Sequence, residues 1–501
     1  MTTTENPPAK HDLYWEMIWK QFKKHPMGVF GLIIVGIFCL VGVYAPLLAS
    51  SKPLIVKYDG DWYFPLFRYL FYAEFFTKKL DIFFNLLMFT LPAFLLAFWL
   101  FRNSKFSLSV AFLAISCLQI GLFWLFSFGS AEDPAANRSL QKLSLRYDWN
   151  AEVKQMSAYA KLNLILRFQQ REAQHKRLLA MLQNHHLPEL SLPKITSLWQ
   201  IEKDNELILL EQQQKIVDNT PPDIEEHKIA QEKIDYYQAK QAWLTAESQK
   251  LSYQVMPLLR HFHWEEDAGG DQNLNRYIDW WELTRINRKD LVSALIFGVR
   301  ISLVVGILAV GISLIIGIPI GAFAGYYGGK TDILVCRLLE IWEAMPTFFM
   351  LLMVVAILQN KSIFLVIGVI GLFGWTTFSR YIRGEFLKQR NLSYIEACRS
   401  LGFSDPYIIF SHILPNAIPP LLTLLPFAIM GAITSEAGLS FLGLGEEGSC
   451  SWGVLMDEGR SAFPGESYLL WPPAILLTVL LIAIALVGDA LRDALDPKMH
   501  R

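Results

Sequence analysis

Four groups of residues have the types and spacing that chemistry would need. Ala324-Gly-Tyr-Tyr-Gly-Gly-Lys330-Thr331 nearly spells a phosphate-binding loop. Such a loop cradles phosphate only where it follows a strand and opens a helix in a soluble nucleotide-binding core. Here it ends a long apolar run, leads into a short basic segment, and starts with alanine instead of glycine. His185, His186, His261 and His263 could donate to a metal, but no carboxylate or cysteine stands near them at a ligand spacing, so they read as solvated surface histidines. Glu436 is an acid near the end of an apolar run, the setting in which a proton relay would need one. The fourth group is the polar stretch Asn391 to Asn416, crowded by Arg380, Arg383, Lys388, Arg390 and Arg399. None of the four makes a catalytic, cofactor-binding or metal-binding constellation.

The elements that carry these residues are mostly membrane spans. Of 501 residues, 53% are hydrophobic and only 18% charged, far too apolar for an ordinary soluble protein. A formal net charge of -1 gives no sign of nucleic-acid binding. The five cysteines fall mostly in apolar runs, which argues against a disulfide framework. Met27 to Leu48 is long enough to cross a bilayer and too long for a signal-peptide core. Lys20, Lys23 and Lys24 place its start in the cytoplasm. Ser51 to Pro65, rich in aromatics and turn formers, suits a loop at the outer surface. Ile82 to Phe101 and Phe106 to Phe128 form a hairpin with a basic tip. The later spans are Leu291 to Phe323, Thr347 to Leu358 with its neighbours, Ile363 to Phe378, Ala417 to Ala437 and Leu470 to Val487. Gly317, Gly321 and Gly325 recur every fourth residue and leave one helix face nearly bare, which lets helices pack closely in lipid.

Glu132 to Arg288 is different: rich in Gln, Glu, Lys and Leu, with apolar residues at helical spacings such as Leu162, Ile165 and Leu166, then Ile229, Ile234, Tyr237 and Leu244. Thr220-Pro-Pro-Asp223 with Glu225 and Glu226 predicts a helix start. Two or three long helices packed as a hairpin are expected. The sequon Asn137-Arg138-Ser139 reads as chance.

In the 391–416 stretch, Asn391 or Ser393 is suited to cap a helix starting near Tyr394, with Glu396 in its acidic first turn. Gly402 stops that helix, and Asp405-Pro406 starts a second one. A rigid helix–turn–helix tethered to the membrane at both ends suits docking into a groove on a soluble partner. Glu396-Ala397-Cys398, Gly402 and Leu414-Pro415 resemble the EAA loop of ABC-transporter permease subunits, with Cys398 departing from the second alanine. The resemblance is to the oligopeptide/dipeptide permeases, and within them to the microcin C and oligopeptide (Yej-type) group. It extends to the 51–65 loop, to Gly298-x-Arg300-Ile-Ser302, to Gly325 through Asp332, Arg337 and Pro346, to Gly438-Leu-Ser-Phe-Leu-Gly-Leu-Gly445 with Ser451-Trp-Gly453, and to Gly488 through Pro497. The hairpin and the insert lie outside it.

The resemblance implies an all-α, polytopic inner-membrane protein of about eight spans: a six-span permease core plus the extra hairpin and a long helical soluble insert. Residues 1–65 would hold the N-terminal tail, first span and outer loop; 66–130 the hairpin; 131–289 a periplasmic insert; 290–501 five core spans with the loop 391–416. Both termini would be cytoplasmic in a bacterial inner membrane. It further implies a partnership with a second homologous permease, with ABC ATPase subunits and with a periplasmic peptide-binding protein. ATP and Mg would be bound by the ATPases, with no cofactor on this chain. Glu396, Ala397, Gly402, Leu414 and Pro415 would couple to the ATPase, and cargo would be peptides or peptide-like compounds. Permeases for nickel or another small solute, a secondary transporter using Glu436, and a non-transporting scaffold are the rival expectations.

Overall fold

The computed structural model describes residues 10–71, 78–101, 104–128, 147–169, 206–259, 291–358, 362–446, 448–461 and 469–495. These fall into two compact units, Met1–Leu40 with Gly298–Arg501, and Val41–Phe297. The fold is mostly helical. Among the described residues, seven helices are long and apolar enough to cross a membrane, and an eighth span arises if one bent pair counts as a crossing.

In the first unit, α1 (Lys10–Phe22) precedes α2 (Pro26–Val43), whose uncharged run makes it a span. Ile18 and Phe22 of α1 pack on Ala490 and Ala494 near the C-terminal end of the chain's last helix. Next comes α9 (Leu291–Tyr327) with its 37 residues, at 1.5 Å per residue about 55 Å long and well beyond the roughly 30 Å hydrocarbon layer. Gly328, at φ 65°, turns the chain sharply into the amphipathic α10 (Gly329–Glu343). α11 (Thr347–Leu358) follows at a bend of 73°, since Pro346 at the junction cannot continue a helix. α12 (Ile363–Gln389) leads to α13 (Ser393–Ser400) and then to α14, which begins at Asp405 and runs to Leu422. The span expected from Ala417 begins later, at α15 (Leu425–Leu439). Pro426 has no N–H to offer the Leu422 carbonyl, so one helix cannot run unbroken through 423–424. α16 (Trp452–Ser461) and α17 (Trp471–Leu495) complete the unit.

In the second unit, α3 (Lys79–Phe101) and α4 (Lys105–Phe128) form the apolar hairpin. A polar clamp joins them: Thr90 Oγ1 donates to Gln119 Oε1 at 2.8 Å, and Gln119 Nε2 donates to the Phe83 carbonyl at 3.0 Å. Such bonds hold helices together where apolar burial gives no drive.

The insert contributes α5 (Trp149–Gln155), α6 over 158–169, α7 (Glu206–Asn219) and α8 (Glu225–Ser248), with α7 and α8 packed as a hairpin. The stretch expected to be a surface loop is instead a β-hairpin. β1 (Ile55–Tyr58) and β2 (Asp61–Tyr63) pair across Asp59-Gly60, whose φ values of 51° and 92° give the turn that matches strand twist. β3 (Leu251–Val255), from the far end of the insert, adds to the other edge of β1 and gives the order β2-β1-β3. Val56 and Tyr58 pack beneath the sheet on Leu162, Ile165, Leu166 and Leu244. The helical spacing read from the insert sequence therefore marks a core that includes residues more than 100 positions earlier in the chain.

Candidate functional site

α13 forms on the apolar spacing of Ile395 and Cys398, both buried, which leaves Glu396, Ala397 and Arg399 exposed. Its N-cap is Leu392 and no side chain caps it, so neither Asn391 nor Ser393 performs the role expected of them. Glu396 does stand in the first turn, where its charge complements the helix dipole. At the other end the Phe403 N–H bonds the Cys398 carbonyl at 3.1 Å and the Gly402 N–H bonds the Arg399 carbonyl at 3.0 Å. This is the six-to-one and five-to-two pair that closes a helix through a left-handed residue, and Gly402 supplies it at φ 78°.

α14 starts on Asp405-Pro406 and widens to π spacing over Ile408–Ile413. Pro415 has no N–H to offer the Ser411 carbonyl, so the ladder before it must shift. Phe403, Tyr407 and His412 meet ring to ring at 5.2 to 6.2 Å, edge to face at Tyr407 and stacked between Phe403 and His412, and so tie the residue after Gly402 to α14. Leu401 is 73% exposed and Phe410 67%. With Phe403, Tyr407 and Glu396 they make an apolar surface carrying one acidic group, on a turn held rigid by its own aromatics.

The arginines around this turn, legible in sequence only as a positive-inside signal, each have a contact. Arg399 lies over the Tyr326 ring at 5.2 Å, and the Tyr326 hydroxyl donates to Asp405 Oδ1 at 2.6 Å. Arg390 donates to the Gly325 and Tyr326 carbonyls, the last of α9, where a cation is favoured. Arg383 forms a two-pronged contact with Asp332 of α10, and Arg380 contacts Glu343. Helix α9 and the exposed turn are therefore joined through Tyr326, whose ring carries Arg399 and whose hydroxyl meets Asp405.

Gly317, Gly321 and Gly325 all face α12. A Cβ on Gly317 would lie 2.6 Å from the Trp375 carbonyl, one on Gly325 2.7 Å from the Arg383 carbonyl, and one on Gly321 would overlap the Ser379 backbone. The two helices touch backbone to backbone, so α9 must follow any tilt of α12. At the end of α12 nearest the turn, a cavity of 460 Å³ is lined by Glu343, Thr377, Arg380, Tyr381 and Glu385.

Lys330 and Thr331 open α10 directly after α9, with helices on both sides of the glycines and no strand before them. Glu436 is 1% exposed and accepts hydrogen bonds from Ser440 at 2.7 Å and Ser451 at 2.6 Å, which tie the segment after α15 back onto that helix. Leu414 and Pro415 sit at the π-to-α junction of α14. His185, His186, His261, His263 and Asn137–Ser139 lie outside the described residues. Sequence reasoning missed Tyr326, Asp405's bond to it, and Asp332 with Arg383.

Residues 317–501 match the family model described as binding-protein-dependent transport system inner membrane component. Residues 14–65 match the N-terminal TM domain of oligopeptide transport permease C. The chain is 38% identical over 219 residues to the peptidoglycan transport system permease protein YejE of Agrobacterium fabrum, covering 44% of this chain and 57% of that one. It is 37% identical to the inner membrane ABC transporter permease protein YejE of Escherichia coli, covering 43% and 63%. The oligopeptide transport system permease protein OppC of Haemophilus influenzae is 39% identical, with 43% of this chain and 69% of that one covered. The chain thus spans 57% and 63% of the length of its two YejE relatives.

Proposed function

Since the chain belongs to the family of binding-protein-dependent transport system inner membrane components, we propose that it is a permease subunit of an ABC importer for peptides or peptide-like compounds. The chain is a multi-pass membrane component and not itself an enzyme. With a second homologous permease it forms the pathway, and partner ATPase subunits bind ATP with Mg and hydrolyse it. A periplasmic binding protein delivers the cargo. Both termini and the 391–416 turn face the cytoplasm, and the insert faces the periplasm.

The observation that carries this reading is the exposed turn of α13 and α14. Glu396, Leu401 and Phe403 offer a soluble partner one charge and an apolar surface, while Tyr326 and Arg390 tie the same turn to α9. Closure of two ATPases on ATP would move two such turns together. The glycine-tight contact of α9 with α12 passes that motion into the spans as a two-state shift. The cavity beside Arg380, Glu343 and Glu385 lies at the cytoplasmic end of α12 and offers groups of both signs to a peptide leaving the pathway. The likeness of residues 51–65 to Yej-type permeases supports peptide-like cargo, microcin C-type compounds included. Specificity rests mostly on the binding protein, because a pathway that must release its cargo binds it weakly.

The test is reconstitution of the purified complex in proteoliposomes. Uptake of labelled peptides should require ATP inside and the binding protein outside, and exchanging that protein for one of another specificity should shift what is taken up. Uptake driven by a proton gradient without ATPase, accumulation of nickel instead of peptide, or specificity that follows this chain would each overturn the proposal.

A further inference from the structure

The small sheet has two chemically distinct faces. Alternation along β1 sends Val56 and Tyr58 into the insert core and Ile55 and Lys57 to the other side. Register pairs Lys57 with Trp62 on one neighbour and Tyr253 on the other, so one row crosses all three strands. Trp62 and Tyr253 are more than half exposed. Their rings meet edge to face at 5.7 Å, and the Lys57 ammonium lies 5.6 Å from the Trp62 ring.

The sheet is also pinned in height. The Leu258 N–H bonds the Leu47 carbonyl at 3.1 Å and the Leu259 N–H bonds the Leu48 carbonyl at 2.9 Å. Leu47 and Leu48 belong to the single turn Ala45–Leu48 that directly follows α2. The end of the sheet carrying Ile55 and Val255 is therefore held close to where α2 leaves the hydrocarbon layer. From that end outwards the side chains change in order, all exposed except the half-buried Lys57. Leu258, Leu259 and Phe64 come first, then Trp62, Tyr253 and Lys57, and last Asp59 and Asp61 at the hairpin tip. Aliphatic, then aromatic with lysine, then carboxylate is the order of solvents met on leaving a bilayer.

We propose that this face of the β2-β1-β3 sheet lies in the phospholipid headgroup layer at the end of α2. Leu258, Leu259 and Phe64 reach the acyl boundary, Trp62 and Tyr253 sit among the headgroups, and Lys57 meets lipid phosphate. The tip Asp59-Gly60-Asp61 stays in water. The partner is thus a lipid surface, recruited by a sheet that the 51–65 loop and the insert build jointly. The inference rests on α2 being a span, and it holds whichever side of the membrane the sheet occupies.

The test places a nitroxide on Leu258→Cys, Tyr253→Cys and Asp61→Cys, each in the full chain with its five native cysteines replaced, in vesicles of phosphatidylethanolamine and phosphatidylglycerol. Collision with oxygen relative to a water-soluble nickel chelate should fall in the order Leu258, Tyr253, Asp61, with Asp61 aqueous. Lys57→Cys, in the same row, repeats the measurement if Tyr253→Cys does not fold. A Tyr253 label as open to nickel as the Asp61 label would overturn the proposal. So would a label closed to both reagents, which would mean that protein, such as a docked binding protein, covers this face.

Discussion

The Tyr326 hydroxyl donates to Asp405 Oδ1 at 2.6 Å across 79 positions of sequence, joining the last turn of α9 to the first residue of α14. Removing one partner of a partly buried hydrogen bond of this kind costs about 1–3 kcal/mol. Tyr326→Phe removes the donor and keeps the ring on which Arg399 lies. On the proposed transport function, the variant should reach the membrane at the normal level and keep its ATPase partners while peptide uptake drops. Normal coupling of ATP hydrolysis to uptake in that variant would show that the bond does not transmit motion.

Gly402 separates backbone geometry from contact. A Cβ there would meet nothing within 4 Å, so space is not the constraint; φ 78° is. A side chain in that region costs about 1–2 kcal/mol. Gly402→Ala should weaken uptake partially. Gly402→Asp, which adds a charge to the docking surface, should abolish it with membrane insertion unchanged. Uptake assays against immunoblots of membrane fractions decide this, and full activity of Gly402→Asp would remove the turn from the coupling path.

The glycines of α9 should behave differently. Gly317→Ala and Gly321→Ala push a methyl into the α12 backbone, an overpacking cost of about 1–3 kcal/mol each. Gly311→Ala on the same helix, where the Cβ direction is open, is the control. Thermal unfolding in detergent should fall for the first two and stay near the parent for the third. Equal behaviour of all three would mean the helices separate easily.

What was legible in the sequence follows from the range of each signal. The spans, the stop at Gly402 and the glycine stripe are local patterns read within one helix, and they can be found from spacing alone. The three-stranded sheet is not legible in this way, although Asp59-Gly60 between aromatic and β-branched residues is a strong hairpin signal. Its third strand is only five residues and stands almost 200 positions from its partner, and nothing local in Leu251–Val255 names β1. The arginines were read by their number, which fixes a side of the membrane, and not by their partners. Asp332, Glu343 and Tyr326 are each too ordinary, taken alone, to signal a contact.

Two glutamates give the insert opposite responses to pH. Burial pushes the Glu152 carboxyl above its usual range, only partly offset by the Tyr236 hydroxyl and Lys240, and its Oε1 has no hydrogen-bond partner among the described residues. A raised folded pKa adds stability below the unfolded value, about 4.3, and loses it as pH rises through the folded value. Glu152→Gln should therefore stabilise the insert at neutral pH, with the gain vanishing near pH 4. For Glu247, burial opposes ionisation, but hydrogen bonds from Lys250 and Tyr58 outweigh it and hold the carboxyl low. Its contribution is present above the usual range and disappears as pH falls. Glu247→Gln should thus destabilise at pH 7 and matter little in acid. Hydrogen exchange of α5, α6 and α8 in the full chain reads both, and a gain for Glu247→Gln at neutral pH would refute the assignment.

The pairing of β3 with β1 also constrains the membrane count without any appeal to hydropathy. Bonded strands lie on one side of the bilayer, so the chain between residues 63 and 251 crosses it an even number of times. The hairpin α3–α4 meets that requirement by going in and returning. From the insert onwards, α9 crosses once and α12 once, and the bent pair α10–α11 decides the parity. If the pair crosses, the chain has eight spans and the α13 turn lies opposite the sheet. If it does not, there are seven and the two share a side. α11 alone, at 12 residues, covers about 18 Å, so a crossing needs part of α10 or a thinned bilayer. Opposite sides are expected if the turn docks on a cytoplasmic ATPase as proposed. In a variant without native cysteines, Gln249→Cys should react with a membrane-impermeant maleimide in cells with a permeabilised outer membrane, and Ser404→Cys should react only after the inner membrane is opened. Both positions are exposed, so neither result can be blamed on burial. Labelling of both from outside would reduce the count to seven and remove the docking role of the turn.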